Sequence, residues 1–378
     1  MGTVKILHCA DLHIGAAASF LGERAESRRF EALLTFERIV SLARQNDVKI
    51  ILIAGDLLNS NSIEGSFCDR IFNAIASIPE IKVVFAAGNH DPLSSDSPFL
   101  KYKIPENLYV LATNDDCKTF DDLGVRVYGR SFSEVYLKGE SIFTLIPPQD
   151  NYINIMCQHG DLRGDATSNY NAISADFAEK SGMDYIALGH VHKASEVIKL
   201  GESYCAYCGC PEGQGFDELG EKGVYIGEIG KGVCDLTFVP CAKRMHLLES
   251  VDISGCDSTV SATEKIISVI REKYPDNYPE NLYKIVLTGN VSADADISTT
   301  EIASRLGELV YYAKVRDKSE AIIDFELLSR EKSLKGIFVK NMLSAIESAE
   351  EKDKEKYKAA LTLGLKAFSS EVYFDENQ

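Results

Sequence analysis

Five short apolar runs in this chain each stop at side chains able to hold a metal ion, and this pattern most narrows what the chain can fold into. Residues 5–10 lead to Asp11-Leu12-His13, and residues 48–54 lead to Gly55-Asp56. Residues 81–87 lead to Gly88-Asn89-His90-Asp91, residues 152–157 to Gln158-His159-Gly160, and residues 185–188 to Gly189-His190-Val191-His192. Apolar runs of this length, broken off by glycine and polar residues, read as buried strands. Between the first two lies a stretch over 24–46 with Phe30, Leu33, Leu34, Phe36, Ile39, Val40 and Leu42 at mostly helical spacing. A second helix over about 64–77 precedes the third run. This β-α-β-α-β alternation predicts a layered α/β core with right-handed crossovers and mostly parallel strands. In open α/β sheets, sites form outside the carboxyl ends of the strands, where all five polar clusters fall. Positions i and i+2 of a strand share a side, so Asp11 and His13 are expected to face one point.

The next stretch continues the pattern and then departs from it. Strands are expected at 108–112 and 125–129, and a helix at 172–181. Strands near 195–199, 203–207, 223–229 and 233–239 suggest an antiparallel finish to a second sheet. From about 243 the order is strand (246–253), helix (258–274), strand (282–291), helix (298–307) and strand (308–315), a small α+β unit with no ligand cluster. Beyond 319 the chain is helical in character. The expected division is 1–242 for the catalytic domain, 243–318 for the α+β unit and 319–378 for a helical segment.

The collected strand-end residues are Asp11, His13, Asp56, Asn89, His159, His190 and His192, with His90 and Asp91 beside them. Any one histidine alone reads better as a satisfied core or loop residue. Five of the seven histidines fall in these motifs, however, and the ordered set predicts a dinuclear metal site. Imidazole and carboxylate hold divalent first-row metals without thiolate, and an amide oxygen adds a neutral donor. One carboxylate can bridge two ions ~3.5–4 Å apart, which acidify a water and stabilise charge on phosphoryl oxygens. A leaving alkoxide still needs a proton, and a histidine oriented by a carboxylate can give it.

The series Asp-x-His, Gly-Asp, Gly-Asn-His-Asp, His-Gly and Gly-His-x-His resembles that of the calcineurin-like metallophosphoesterases, with no core element missing. The resemblance implies a four-layer α-β-β-α sandwich followed by a small α+β cap and C-terminal helices. It implies one metal on Asp11, His13, Asp56 and His192 and another on Asp56, Asn89, His159 and His190, bridged by Asp56. His90 would be the acid or transition-state stabiliser, and Asp91 its orienting partner.

A narrower resemblance, over about the first 240 residues, is to SbcD-type DNA repair nuclease subunits. It rests on 7–15, on 54–58, on 184–193, and on Gly215-Phe-Asp-Glu218 with Glu221-Lys-Gly223. It implies a metal-dependent nuclease, or exonuclease, acting on double-stranded DNA ends as a homodimer. The cap would contact DNA, and the C-terminal helices would dock on a coiled-coil ATPase of the SbcC type. No Gly-x-x-x-x-Gly-Lys-Ser/Thr loop occurs, so any ATP use belongs to that partner. Two Mn²⁺ ions are the expected cofactors, since an oxygen- and nitrogen-rich ligand set suits them; Fe, Zn and Mg are the other choices.

Two competing readings are a stand-alone phosphoesterase on nucleotides or phosphoproteins and a non-catalytic scaffold holding an ATPase at DNA ends. The net charge of −17 argues against broad attraction to nucleic acid, which is dominated by Lys and Arg contacts to phosphate. Arg24, Arg28, Arg29, Lys101 and Lys103 read either as a phosphate-contacting rim or as ordinary solvated charges. Cys205-Ala-Tyr-Cys208-Gly-Cys210 has zinc-like spacing but also fits a strand and tight loop that need no cysteine, so no zinc is expected there. Ten scattered cysteines in a long chain fit reduced thiols. No apolar run approaches the roughly 18 residues of a membrane span. With no signal-peptide pattern, the expected location is the cytoplasm.

Overall fold

Strands Val4–Cys9, Ile50–Ile53, Lys82–Phe85 and Leu108–Val110 lie side by side and parallel. Helices Ala25–Gln45 and Gly65–Ala76 make the crossovers between the first three. The computed structural model describes residues 2–140, 143–162, 168–292, 294–322 and 324–368, so the last ten positions of the expected 319–378 segment lie outside the described residues. Gly223–Gly230 pairs antiparallel with the open side of Val4–Cys9, and Val233–Pro240 follows it, completing a six-stranded sheet. A second six-stranded sheet runs in the order Ile198–Leu200, Ser203–Tyr207, Tyr185–Gly189, Ile153–His159, Val125–Gly129, Asp116–Phe120.

Alternation along each strand divides its side chains between two cores. Leu7 and Cys9 pack with Leu33, Phe36 and Ile71 of the two helices. Val4 and Ile6 point the other way, onto Ile155, Cys157, Tyr185 and Ala187 of the second sheet. On that sheet's far face, Met156, Ile186 and Leu188 pack on Ala178 of helix Ala175–Lys180. The layers are therefore helix, sheet, sheet, helix. Parallel strands covered on both faces must be apolar on both, which is why these runs show almost no alternation. Each large aliphatic side chain buried this way stabilises the sandwich by about 1.5–3 kcal/mol.

The antiparallel finish falls elsewhere than the sequence suggests. Ser203–Tyr207 pairs parallel with Tyr185–Gly189, and of the four strands expected there only Ile198–Leu200 pairs antiparallel within the second sheet. Gly223–Gly230 and Val233–Pro240 return to the first sheet. The reason is burial: Val224 and Ile226 join the core under the long helices, while Tyr225 and Ile229 join the core between the sheets. A strand apolar on both faces needs a place beside Val4–Cys9.

By internal contacts the chain divides into two units: Met1–Leu248 with Asn277–Lys284 and Leu309–Tyr312, and Glu249–Asp276 with Ile285–Glu308 and Ala313–Gln378. In the second unit, Ser258 caps helix Thr259–Lys273 in a capping box, satisfying amide groups that the first turn leaves open. The expected strand over 282–291 stops at Thr288, because Gly289 turns with φ +91°. Asn290–Ser292 then pairs with Glu320–Ile322, a strand where helix was expected. Helices Leu334–Ser348 and Glu351–Phe368 pack through Val339, Leu361 and Leu365. Among the described residues no helix is long and apolar enough to cross a membrane.

Candidate metal centre

All the sequence-singled residues of the five strand ends lie in the first unit. Strand Val4–Cys9 ends before Asp11, and the convergence of Asp11 and His13 does not come from the strand pleat. Both adopt left-handed backbone, with φ of 53° and 46°, and Asp56 (50°) and His190 (99°) join them. These are four of the six described non-glycine residues with positive φ. Each such residue costs on the order of 1–3 kcal/mol, a strain that persists where surrounding contacts enforce it. The contacts are visible: Asp11 N donates to Gly55 O at 3.0 Å and His13 N to Asp56 O at 2.9 Å, lacing the first two loops together. Two glycines permit the close approach. A Cβ on Gly88 would lie 2.2 Å from Asp56 Oδ1, and one on Gly189 would lie 1.9 Å from Ala54 O.

The side chains then meet. The Asp11 carboxylate accepts from the His190 amide at 3.0 and 3.1 Å. Asp56 Oδ1 accepts from the His90 amide at 2.8 Å, leaving Oδ2 3.4 Å from His159 Nε2 and 3.8 Å from His13 Nε2. His159 Nδ1 faces the Ala54 carbonyl at 2.9 Å, and a carbonyl only accepts, so the ring proton sits on Nδ1. Nε2 is thereby turned inward, 3.0 Å from Asn89 Oδ1; burial works against charge on this ring, but Asp56 and Asp11 outweigh it and hold the imidazole above its ordinary range. His13 Nε2 and His192 Nε2 lie 3.1 Å apart. Ligand atoms of Asp11, His13 and His192 lie within 4.8 Å of one another, as do those of Asp11, Asp56 and His159 and those of His13, Asp56 and His90.

The electrostatics suit a cation. Burial pushes the Asp11 carboxyl up to about 6; His159 opposes this and Asp56 adds to it. Burial also lowers His13 to about 3 and His190 to about 4, which keeps both imidazoles neutral, the form that ligates metal. For Asp56, burial works against the charge, but His159 and His13 outweigh it and hold the carboxyl below its usual range. Two buried carboxylates, inward-facing imidazole nitrogens and an amide oxygen make a donor set that fits divalent first-row ions. Two imidazole nitrogens aimed at each other beside those carboxylates are what a shared cation would reconcile.

Not every expected residue stands where the sequence placed it. The His190 ring lies against the rings of His159 (5.2 Å between centroids) and Tyr170 (4.7 Å), beside the clusters rather than within them. His90 is exposed, and its Nδ1 faces the carbonyl oxygen of Asn59 at 3.1 Å. The expected pairing of Asp91 with His90 is not made. Asp91 is fully buried, and its oxygens accept from the amides of Gly88 (2.8 Å) and Leu58 (3.0 Å), donors that the turn after the strand would otherwise leave unsatisfied. The cationic rim is largely spoken for: Arg28 is buried against Glu31, Glu212 and Gly213 O, and Arg29 holds Glu64 and Gly15 O. Cys205 packs outside the second sheet and Cys208 between the sheets, so strand alternation separates the two thiols.

Three residues escaped notice as parts of the site: Asn59, Tyr170 and Glu218. Only Glu218 left a sequence signal, since a ligating histidine needs a partner for its second nitrogen and a carboxylate follows in the glycine-rich loop. Glu218 Oε1 contacts Nδ1 of His192.

Comparison with known proteins agrees with this arrangement. Residues 4–194 match the family described as calcineurin-like phosphoesterase. The chain is 29% identical over 285 residues to an uncharacterized metallophosphoesterase, YhaO, of Bacillus subtilis, spanning 71% of this chain and 69% of that one. It is 25% identical over 361 residues to the DNA double-strand break repair protein Mre11 of Methanopyrus kandleri, spanning 87% of this chain and 76% of that one. To a subunit of the nuclease SbcCD of Escherichia coli it is 23% identical over 271 residues, 61% of this chain and 66% of that one.

Proposed function

The chain belongs to the calcineurin-like phosphoesterase family, and from that premise we propose that it is a metal-dependent DNA phosphodiesterase, the nuclease subunit of an SbcCD-like complex working on double-stranded ends. The observation that carries the phosphodiester chemistry is the convergence of Asp11 with His13 and His192, and of the same Asp11 with Asp56 and His159. The DNA substrate is supported by the similarity to an Mre11 and an SbcCD subunit over most of the chain.

Asp11, His13, Asp56 and His192 would hold one Mn²⁺, and Asp56, Asn89 and His159 the other, with His190 its further expected ligand although that ring lies beside the clusters. When bound, such ions acidify a water and neutralise charge on the phosphoryl oxygens. The rest is done by the chain's own groups. His159 keeps its proton on Nδ1 through Ala54 O, so its Nε2 stays a ligand. His90 acts as the imidazolium: Nδ1–H stays donated to Asn59 O while the Nε2 proton goes to the leaving oxygen, leaving the neutral Nδ1–H ring. Asp91 fixes the turn that carries both Asn89 and His90. Residues 243–318 contact DNA in this reading, residues 319–378 dock on the partner ATPase, and two copies work together.

The test is to assay the purified full chain with Mn²⁺ on linear duplex DNA, single-stranded DNA and bis-p-nitrophenyl phosphate. Metal-dependent cleavage of duplex ends is the expected result. Hydrolysis of the small diester with no cleavage of either DNA would replace this reading with that of a stand-alone phosphoesterase, which the net charge of −17 favours.

A further inference from the structure

Resting on the metal reading above, we propose that Glu218 is the positioning residue for His192: it holds the ring proton on Nδ1, so that Nε2 is presented to the metal centre, and loop 209–222 is the clamp that keeps it there. Four contacts carry this. Glu218 Oε1 accepts from Nδ1–H of His192, while its Oε2 accepts from the Gln214 amide at 2.6 Å. The carbonyl oxygen of His192 accepts from Lys222 Nζ at 3.1 Å and from the Cys210 amide at 3.2 Å. One loop thus grips the same residue by ring and by main chain. The approach is close enough to need glycine: Gly209 has φ +73°, and a Cβ there would lie 2.6 Å from Ala194 N.

The loop is itself anchored. Gly213 O accepts from Arg28 Nη2 at 2.6 Å, and Glu212 accepts from Arg28, from the Thr35 hydroxyl and from the Lys243 amide. Arg28 and Thr35 lie on helix Ala25–Gln45, so the clamp is fixed to a rigid element. A carboxylate oxygen only accepts, so Glu218 can meet Nδ1 of His192 only as Nδ1–H. Without it the ring is free to carry its proton on Nε2, aimed at His13 Nε2 only 3.1 Å away. Removing such an outer partner of a ligating histidine typically weakens metal binding by roughly 10–100-fold.

The experiment titrates Co²⁺ into the full chain and into Glu218→Ala, Glu218→Gln and Glu218→Asp, reading stoichiometry and the visible d–d spectrum. Metal-free thermal melts report folding. Wild type is expected to take two ions. Glu218→Ala is expected to bind one of them roughly 10–100-fold more weakly, with an altered spectrum. Glu218→Asp should recover part of both, and Glu218→Gln, which keeps an acceptor but not the charge, should fall between. If Glu218→Ala does not fold, the Gln and Asp variants decide by the same readings. Two ions bound with wild-type affinity and spectrum in folded Glu218 variants would overturn the positioning role and leave the metal centre standing. A wild-type chain that takes up no Co²⁺ would overturn both together.

Discussion

Nδ1 of His90 faces the carbonyl oxygen of Asn59 at 3.1 Å, so the imidazole at the mouth of the centre is oriented by main chain rather than by a carboxylate. A backbone acceptor cannot take the proton away, and it leaves Nε2 as the only nitrogen of His90 available to a substrate. His90→Ala should therefore lower kcat by roughly 10²–10⁴, the usual worth of a positioned general acid. Metal content should stay at the wild-type level, because the centre's other donors do not depend on this ring. Turnover and bound metal measured on one preparation check this, and wild-type turnover in the variant would remove His90 from the chemistry.

Asp91 has a different job from the one its neighbour's role suggests. Its two oxygens satisfy the buried amides of Gly88 and Leu58. Leaving a buried amide without an acceptor costs about 1–3 kcal/mol. Asp91→Ala should thus lower the unfolding free energy by about that amount for each amide, seen as an earlier denaturant midpoint. Asp91→Asn should also destabilise, since one of the two amides would then meet an NH₂ group. An Asp91→Asn chain with unchanged stability and a large loss of kcat would restore the carboxylate–imidazole pairing.

These two residues show how far the sequence could be read. The apolar runs and their glycine-marked ends are dictated by burial on both faces, so the parallel strands were legible, as was the meeting of Asp11, His13, Asp56, His159 and His192 at strand ends. Which acceptor a side chain finds was not, because Asn59 O, the amides of Gly88 and Leu58, and Glu218 are all brought in by loop geometry. The left-handed backbone at Asp11, His13 and Asp56 was also hidden: aspartate and histidine are enriched at positive φ, but only a few per cent of non-glycine residues adopt it. The return of Gly223–Gly230 to the first sheet was hidden for a related reason. An apolar strand states that it is covered on both faces, not which sheet covers it.

Gly88 offers a test of packing at the centre itself. A Cβ there would stand 2.2 Å from Asp56 Oδ1 and 2.7 Å from the Asp56 amide nitrogen, and a backbone atom cannot swing aside as a long side chain can. Gly88→Ala should push the Asp56 carboxylate out of line with His159 and His13. A stability cost of about 1–3 kcal/mol is expected from the overpacking. Mn²⁺ affinity should fall by at least roughly tenfold, as for lost outer support of a ligand. Calorimetric metal titration of the folded variant measures this, and unchanged affinity would show that Asp56 does not need its present position.

His8 lies behind the centre and ties the two sheets together. Its Nδ1 accepts from the Tyr185 hydroxyl at 2.9 Å, and its Nε2–H donates to the Leu188 carbonyl at 3.2 Å, one residue before Gly189-His190. Burial pushes the imidazole down to about 3, the Leu188 carbonyl working the other way. The unfolded chain therefore binds a proton that the folded chain refuses, in the window between about 3 and the ordinary histidine value of about 6.5. His8 costs nothing above that window. As pH falls through it, the folded state loses about 1.4 kcal/mol per pH unit from this one group. His8→Gln removes the titration along with part of the inter-sheet bonding. Relative to wild type it should be less stable at pH 7 by about 1 kcal/mol, the net worth of a typical hydrogen bond. It should then close that gap and become the more stable of the two as pH drops from 6 to 4. Urea unfolding across this range reads the difference directly, and parallel stability curves for the two proteins would mean that His8 is not held neutral between the sheets.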